Sequence, residues 1–452
     1  MSKRSGFLRL GLFVYPSGHH IAAWRHPDTA ANAGISFDYY RNVASIAEAA
    51  KLDLLFLADG AGARSDNDEV LSRTAHSYVA QFEPVTLLSA LAVVTQRIGL
   101  VATVSSSFNE PFHVARKFAS LDHLSGGRAG YNLVTSANDL EARNFNRDEH
   151  DSHAARYERA EEFAQVVSGL WDSWDGDAFL YDKQEGRFFD PARRHVLDHK
   201  GRHFSVRGPL NVPRSPQGRP VTVQAGSSEA GKELAAKSAD VVFTAQQTVD
   251  EAADFYRDIK ERAVRYGRDP DHVKILPGIF PVVGRTRAEA QDKFEALQAL
   301  IHPAIGLNLI SGGWTGIDLS AYDLDGPLPD LPPGNGSQSR QHLLAELARR
   351  ENLTIRQLYL RVAGARGHLQ VVGTPADIAD ALEERFETFG ADGFNIMPPT
   401  FPGGLTDFVE LVLPELRRRG LARSEYDGPT LRANLGLPEP APVRPGDRTP
   451  SP

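Results

Sequence analysis

The chain of 452 residues contains no cysteine, which excludes disulfides, thiolate metal sites, iron–sulfur clusters and cysteine nucleophiles. No run of about 18 apolar residues occurs, so a membrane-spanning helix is excluded too. Positive charge is not in excess. Lys and Arg number 50 against 58 Asp and Glu, a net charge of -8, and the basic footprint of a nucleic-acid binder is missing. The N-terminal MSKRSGFLRLGLFVYPSGHH starts basic, but its apolar stretch is short, broken by Arg9 and without a small-residue cleavage pattern. This reads as no signal peptide and a cytoplasmic protein. Also lacking are G-x-S-x-G, G-x-G-x-x-G and H-E-x-x-H, which lowers the hydrolase, dinucleotide-dehydrogenase and zinc-peptidase readings.

What the chain has is a succession of short apolar runs. They fall at residues 8–15, 52–59 (LDLLFLAD), 97–105 (RIGLVATVS), 128–136 (RAGYNLVTS), 220–226 (PVTVQAG), 240–245 (DVVFTA), 273–283 and 390–398. Their nearly continuous apolar character suits parallel strands covered on both faces. Segments with helical spacing separate them, Pro84 and Pro111 suit first helical turns, and Gly126-Gly127 suits a stop. Strands alternating with helices, with no second core, predict an α/β (β/α)8 TIM barrel rather than an open doubly wound sheet. The expected domain is residues 1–436, with insertions at about 174–218 and 303–340. Those insertions are expected after strands four and seven, on the C-terminal face where they close over the barrel mouth. From Asp427 the chain holds seven prolines and is expected to wrap the surface or be disordered, with residues 437–452 set apart from the barrel domain as a Pro-rich tail.

Asp59, Thr103, Asn132 and Ser227 all stand at strand ends on that face, where a ligand site is built. GSSEAGKE (226–233) spells G-x-x-x-x-G-K but has Glu233 where a nucleoside-triphosphate loop needs Ser or Thr. What remains is Gly226, Ser227 and Ser228 at a helix N-terminus, a place for a mononucleotide phosphate or simply a helix cap. In HDSHAARY (150–157), His153 and Tyr157 are one turn apart and face one ligand or only solvent. A metal pair of His150 and His153 lacks the third ligand that catalytic zinc requires. GHHIAAWRHP (18–27) roofs the mouth or packs as a surface loop, and Asp59 reads as structural more readily than as a catalytic acid.

Several segments together carry a resemblance. They are AWRHPD (23–28), LLFLADG (54–60), the long run 83–136, EARNF (141–145), RYERAEEF (156–163), QAGSS (224–228) and GADGFNIMPP (390–399). Over residues 8–436 the chain resembles the nitrilotriacetate monooxygenase component A family, a branch of the bacterial luciferase-like superfamily. The resemblance implies a barrel using FMN, reduced by a separate flavin reductase, to oxygenate a small organic substrate with dioxygen through a C4a-(hydro)peroxyflavin. It implies Asp59 and Thr103 at the flavin ring, Asn132 at its polar edge, His153 and Tyr157 at the ribityl or phosphate end, and Gly226, Ser227 and Ser228 on the phosphate. His20, Phe56, Phe243 and Trp24 would line the oxygen and substrate side, with His20 managing the proton. A homodimer or homotetramer is expected. Tyr131 and Ala137 depart from the family, which commonly has Trp at both places. A deazaflavin-dependent hydride transferase and a catalytically silent flavin-binding relative are the alternatives.

Overall fold

Eight parallel strands close on themselves: β1 (Arg9–Val14), β2 (Leu54–Leu57), β3 (Gly99–Ser105), β4 (Ala129–Val134), β5 (Val221–Ala225), β6 (Val241–Thr244), β7 (Lys274–Val283) and β8 (Gly393–Ile396). The ring is completed where Val241 of β6 lies opposite Lys274 of β7 and where β8 pairs with both β7 and β1. This computed structural model describes residues 4–311, 315, 317–331 and 338–441. The architecture is the expected TIM barrel.

Alternation along each strand divides its side chains between two cores. Phe13, Leu54, Phe56, Val101, Val221, Val223, Val241, Phe243 and Leu276 fill the barrel interior. Their neighbours Leu10, Leu12, Leu55, Leu57, Leu100 and Ala102 pack outward against the helices. Residues buried on both faces are what made the strands read as unbroken apolar runs. Helix α1 (Phe37–Ala49) is capped by Ser36, while α2 (Pro84–Ala92) and α3 (Pro111–Ser125) begin on their prolines. Gly126 ends α3 in the left-handed region that glycine adopts without strain. Helix α4 (His153–Trp171) starts three residues before Arg156, because the Ser152 hydroxyl accepts from Ala155 N–H and supplies the cap. Arg128, fully buried, ties α2 to the foot of β4 by donating to the carbonyls of Ala92, Thr95, Ile98 and Ser125 and to the Thr95 hydroxyl.

Three placements differ from expectation. The segment 172–220 follows α4 rather than β4, so it lies at the N-terminal end of the barrel. There Gln217 donates to Asp122 and to the Ala129 carbonyl at the start of β4. It cannot cover the mouth. The excursion after β7 does reach the mouth, although residues 312–314, 316 and 332–337 of it lie outside the described residues. It returns through an additional parallel strand, Leu369–Gly373, paired with the outer half of β7.

The C-terminal segment is also docked. Leu431 and Leu435, one helical turn apart, join Leu437 in the interior cluster and stopper the barrel floor. Arg432 fixes this plug by donating to Asp240 at 2.7 Å, and Arg214 and Arg219 hold the carbonyls of Pro440 and Ala441. The packed chain therefore runs past 436, and residues 442–452 lie outside the described residues. Among the described residues no helix is long and apolar enough to cross a membrane.

Candidate active site

At the C-terminal ends of the strands the interior closes on three phenylalanines, Phe13 meeting the other two edge to face. Phe13 is 5.0 Å from Phe56 and 5.6 Å from Phe243, which are 5.4 Å from each other. Phe243 stacks on His368 of the β7 excursion at 5.0 Å. Gly278 makes that approach feasible, since a Cβ there would run into the His368 ring and the Met397 sulfur. Beside this apolar floor, Asn132 donates through Nδ2 to the Thr103 hydroxyl at 2.9 Å. Its Oδ1 is buried without a partner among the described residues, an acceptor whose desolvation asks for a donor.

Asp59 stands at the end of β2, half-buried, on a cavity of about 350 Å³ shared with Thr103, Ser105, Tyr78 and Phe108. Burial raises its carboxyl to about 6, with Glu83 and Glu141 adding to the effect and the Gly60 N–H opposing it. It is thus a group that exchanges a proton near neutrality.

Across the barrel, the turn after β5 meets α4. Ser228 accepts from Gly231 N–H at 3.2 Å, so it does cap α5 (Glu229–Ser238), and its own hydroxyl points to the Tyr157 hydroxyl at 3.4 Å. Gly226 takes φ +148°, and a Cβ there would come to 3.6 Å from the same Tyr157 oxygen. His153 lies 4.7 Å from Tyr157, ring to ring. Half-buried Ser227 completes this turn. Residues far apart in the chain thus share one polar corner. His150 packs instead near Phe108, at 5.3 Å, in a separate aromatic group with Phe145.

The loop after β1 holds a correction. His20 faces away from the phenylalanine floor, sealed among Phe280, Phe294 and Gln298, and burial lowers it to about 4. Its neighbour His19 lies 4.5 Å from Phe13. These adjacent residues of the loop point opposite ways, and the pair His19-His20 offers no signal for choosing between them. Trp24 is half-buried on the turn Ala23–Arg25.

Other groups at the mouth carry no sequence pattern. The charged loop after β2 brings His76, stacked on Tyr15 at 4.7 Å, along with Tyr78 and Arg64. Burial and the Arg366 charge hold His76 down at about 3. Arg366, at the end of the β7 excursion, lies over the Tyr15 ring at 5.1 Å. These residues come together only through the closed barrel.

Residues 17–393 match the family model described as luciferase-like monooxygenase. The chain belongs to the luciferase-like monooxygenase family. It is 52% identical to N-acetyl-S-(2-succino)cysteine monooxygenase of Bacillus subtilis (strain 168), over 97% of this chain and 99% of that protein. It is 50% identical to nitrilotriacetate monooxygenase component A of Aminobacter aminovorans, over 96% and 97%. Among solved structures, riboflavin lyase with modified FMN and substrate riboflavin superposes with a TM-score of 0.85 at 36% identity, covering 96% of both chains. As a luciferase-like monooxygenase, the chain is an oxidoreductase.

Proposed function

We propose that the protein is the oxygenase component of a two-component system. It takes FMN reduced by a separate flavin reductase, together with dioxygen, and oxygenates a small organic substrate. The observation that carries this reading is a pair of polar corners at neighbouring strand ends beside one apolar floor. On one side Tyr157, Gly226, Ser227, Ser228 and the α5 N-terminus suit a phosphate, and the helix dipole adds to the attraction. On the neighbouring strands β3 and β4, Thr103 and Asn132 Oδ1, which has no partner among the described residues, suit the donor and acceptor edge of a flavin ring. His153, half-buried beside Tyr157, would contact the ribityl chain.

Bound reduced flavin would supply the electrons that activate dioxygen. The chain's own part is positioning and shielding. Phe13, Phe56 and Phe243 keep water from the reacting face, and the loops after β1 and β2 with the β7 excursion roof it. Asp59 holds or releases a proton at its carboxyl near neutral pH. His20, enclosed in packing, has no access to that face, so proton handling passes from His20 to Asp59.

The test is oxygen uptake by the purified chain with FMN and NADH, with and without an added flavin reductase. Uptake and product formation are expected only with the reductase. Substrate-dependent NADH oxidation by this chain alone would overturn the two-component reading.

A further inference from the structure

The cavity that holds Asp59 extends beyond the barrel interior. Side chains alternate along β3, so Val101 lies inside with Thr103, which meets Asn132, while Val104 packs outward with the helices. The cavity touches Thr103 and Val104 alike. It therefore passes over the end of β3 from the interior into the helix layer. Its inner end is polar, at Asp59, Thr103 and Ser105, whereas its outer section is lined by Val104, by Val85 of α2 and by Val114 and Phe118 of α3. Phe82, Glu83 and Lys117, all exposed, form the rim where it reaches solvent beside the two helices.

The loops next to it are tied to one another. Phe108, after β3, and Phe145, beyond β4, stack flat at 4.5 Å, and Asn144 donates to the Ala61 carbonyl at 3.0 Å. Gly60 admits the Tyr78 ring, which a Cβ at that position would strike. The loops after β2, β3 and β4 are thereby held together at the inner end, and the gap between α2 and α3 is a lateral approach to it. An oxygenase must admit dioxygen to the reduced ring while keeping water away. Dioxygen carries no charge and gives up no strong hydrogen bond, so an apolar section costs it none of the desolvation that a polar molecule or an ion meets there. Apolar cavities take up xenon for the same reason.

We infer that this lateral cavity is the entry route of dioxygen, separate from the barrel mouth through which flavin and organic substrate arrive. Val85, Val104, Val114 and Phe118 form its apolar section, and it delivers the gas beside Thr103 and Asp59. The inference rests on the reading of that inner end as the place of the flavin ring.

Two measurements test it. In crystals of the flavin-free protein under xenon pressure, a xenon atom is expected among Val85, Val114 and Phe118. The second uses variants that fill this section. Val85 is half-buried in the first turn of α2, so Val85→Phe adds its ring without entering the core, and it stays informative where Val114→Phe overpacks and unfolds. Anaerobic titration should give both variants the native affinity for reduced FMN. On rapid mixing with oxygenated buffer, with protein in excess over flavin, the second-order constant for reoxidation of bound reduced FMN should fall about 10-fold in each. Val114→Ala, which widens the section, should show no fall. Absence of xenon from the outer section, or a native oxygen constant in Val85→Phe, would overturn the inference. Loss of reduced-FMN binding in Val85→Phe would overturn it as well, by showing that flavin itself fills the cavity. Failure of reduced FMN to bind the native protein would instead overturn the flavin reading, with the xenon site still readable on the protein alone.

Discussion

Arg366 and His19, separated by 347 positions, are joined by a hydrogen bond of 2.5 Å into Nδ1 of the imidazole. The Phe13 carbonyl accepts from Nε2 of the same ring at 2.7 Å, so the proton sits on Nε2 and Nδ1 offers its lone pair to the guanidinium. Burial and the neighbouring arginine hold His19 well below the usual imidazole range. His19 is therefore a neutral positioning residue, linking the apolar floor to the basic rim.

His20 is expected to behave as a packing residue. Its folded-state value of about 4 lies below the ordinary 6.5, so the stability it contributes is complete above pH 6.5 and is lost as pH falls toward 4. His20→Phe removes that loss. Between pH 7.5 and 4.5 the native protein should lose about 2–3 kcal/mol relative to the variant, measured by urea denaturation. The ratio of hydrogen peroxide to product should be unchanged in His20→Gln; a rise in peroxide would return the proton role to His20.

Asp59 has the opposite sign. Its carboxyl, raised to about 6 from 3.8, favours the folded state at low pH and withdraws that support as pH rises through 6. Asp59→Asn should gain about 1–2 kcal/mol over the native protein at pH 7.5 compared with pH 4.5, the partial exposure of the group keeping the figure small. Product formation should lose its pH-dependent limb near 6. A variant with the native pH profile would show that Asp59 has no part in proton handling.

Much of the scaffold was legible before any coordinates. Strands such as LLFL and VVFT are buried on both faces and announce themselves by composition, and Pro84, Pro111 and Gly126 mark real helix ends. Asp59, Thr103 and Asn132 could be placed at strand ends from the sequence because each stands in or just after an apolar run. What escaped depends on contacts distant in sequence. Nothing in the charged run around Arg64, or in Arg366 behind a helical excursion, signals that both reach Tyr15 and Tyr78. The Pro-rich tail hid Leu431 and Leu435, whose spacing of one turn matters only because the barrel floor is open. The insertion at about 174–218 was assigned to the mouth by counting from β4, whereas the intervening helix had already returned the chain to the opposite end.

That floor plug is a structural commitment. Leu435→Ala should cost about 2–5 kcal/mol, the range for truncating a fully buried leucine, read from chemical denaturation. Arg128→Met should cost about 3–5 kcal/mol by stripping donors from the buried carbonyls at the α2–β4 junction. A change below about 0.5 kcal/mol in either would mean that the element relaxes freely.

The central claim is a mononucleotide flavin anchored by its phosphate at the β5 turn, and anaerobic titration of reduced FMN against reduced riboflavin tests it most directly. The native protein should prefer reduced FMN by at least about 10-fold, and Tyr157→Phe and Ser228→Ala should each erase most of that preference, Ser228→Ala also costing about 1 kcal/mol of stability as a helix cap. Equal affinity for FMN and riboflavin in the native protein, or a preference untouched in both variants, would contradict the assignment.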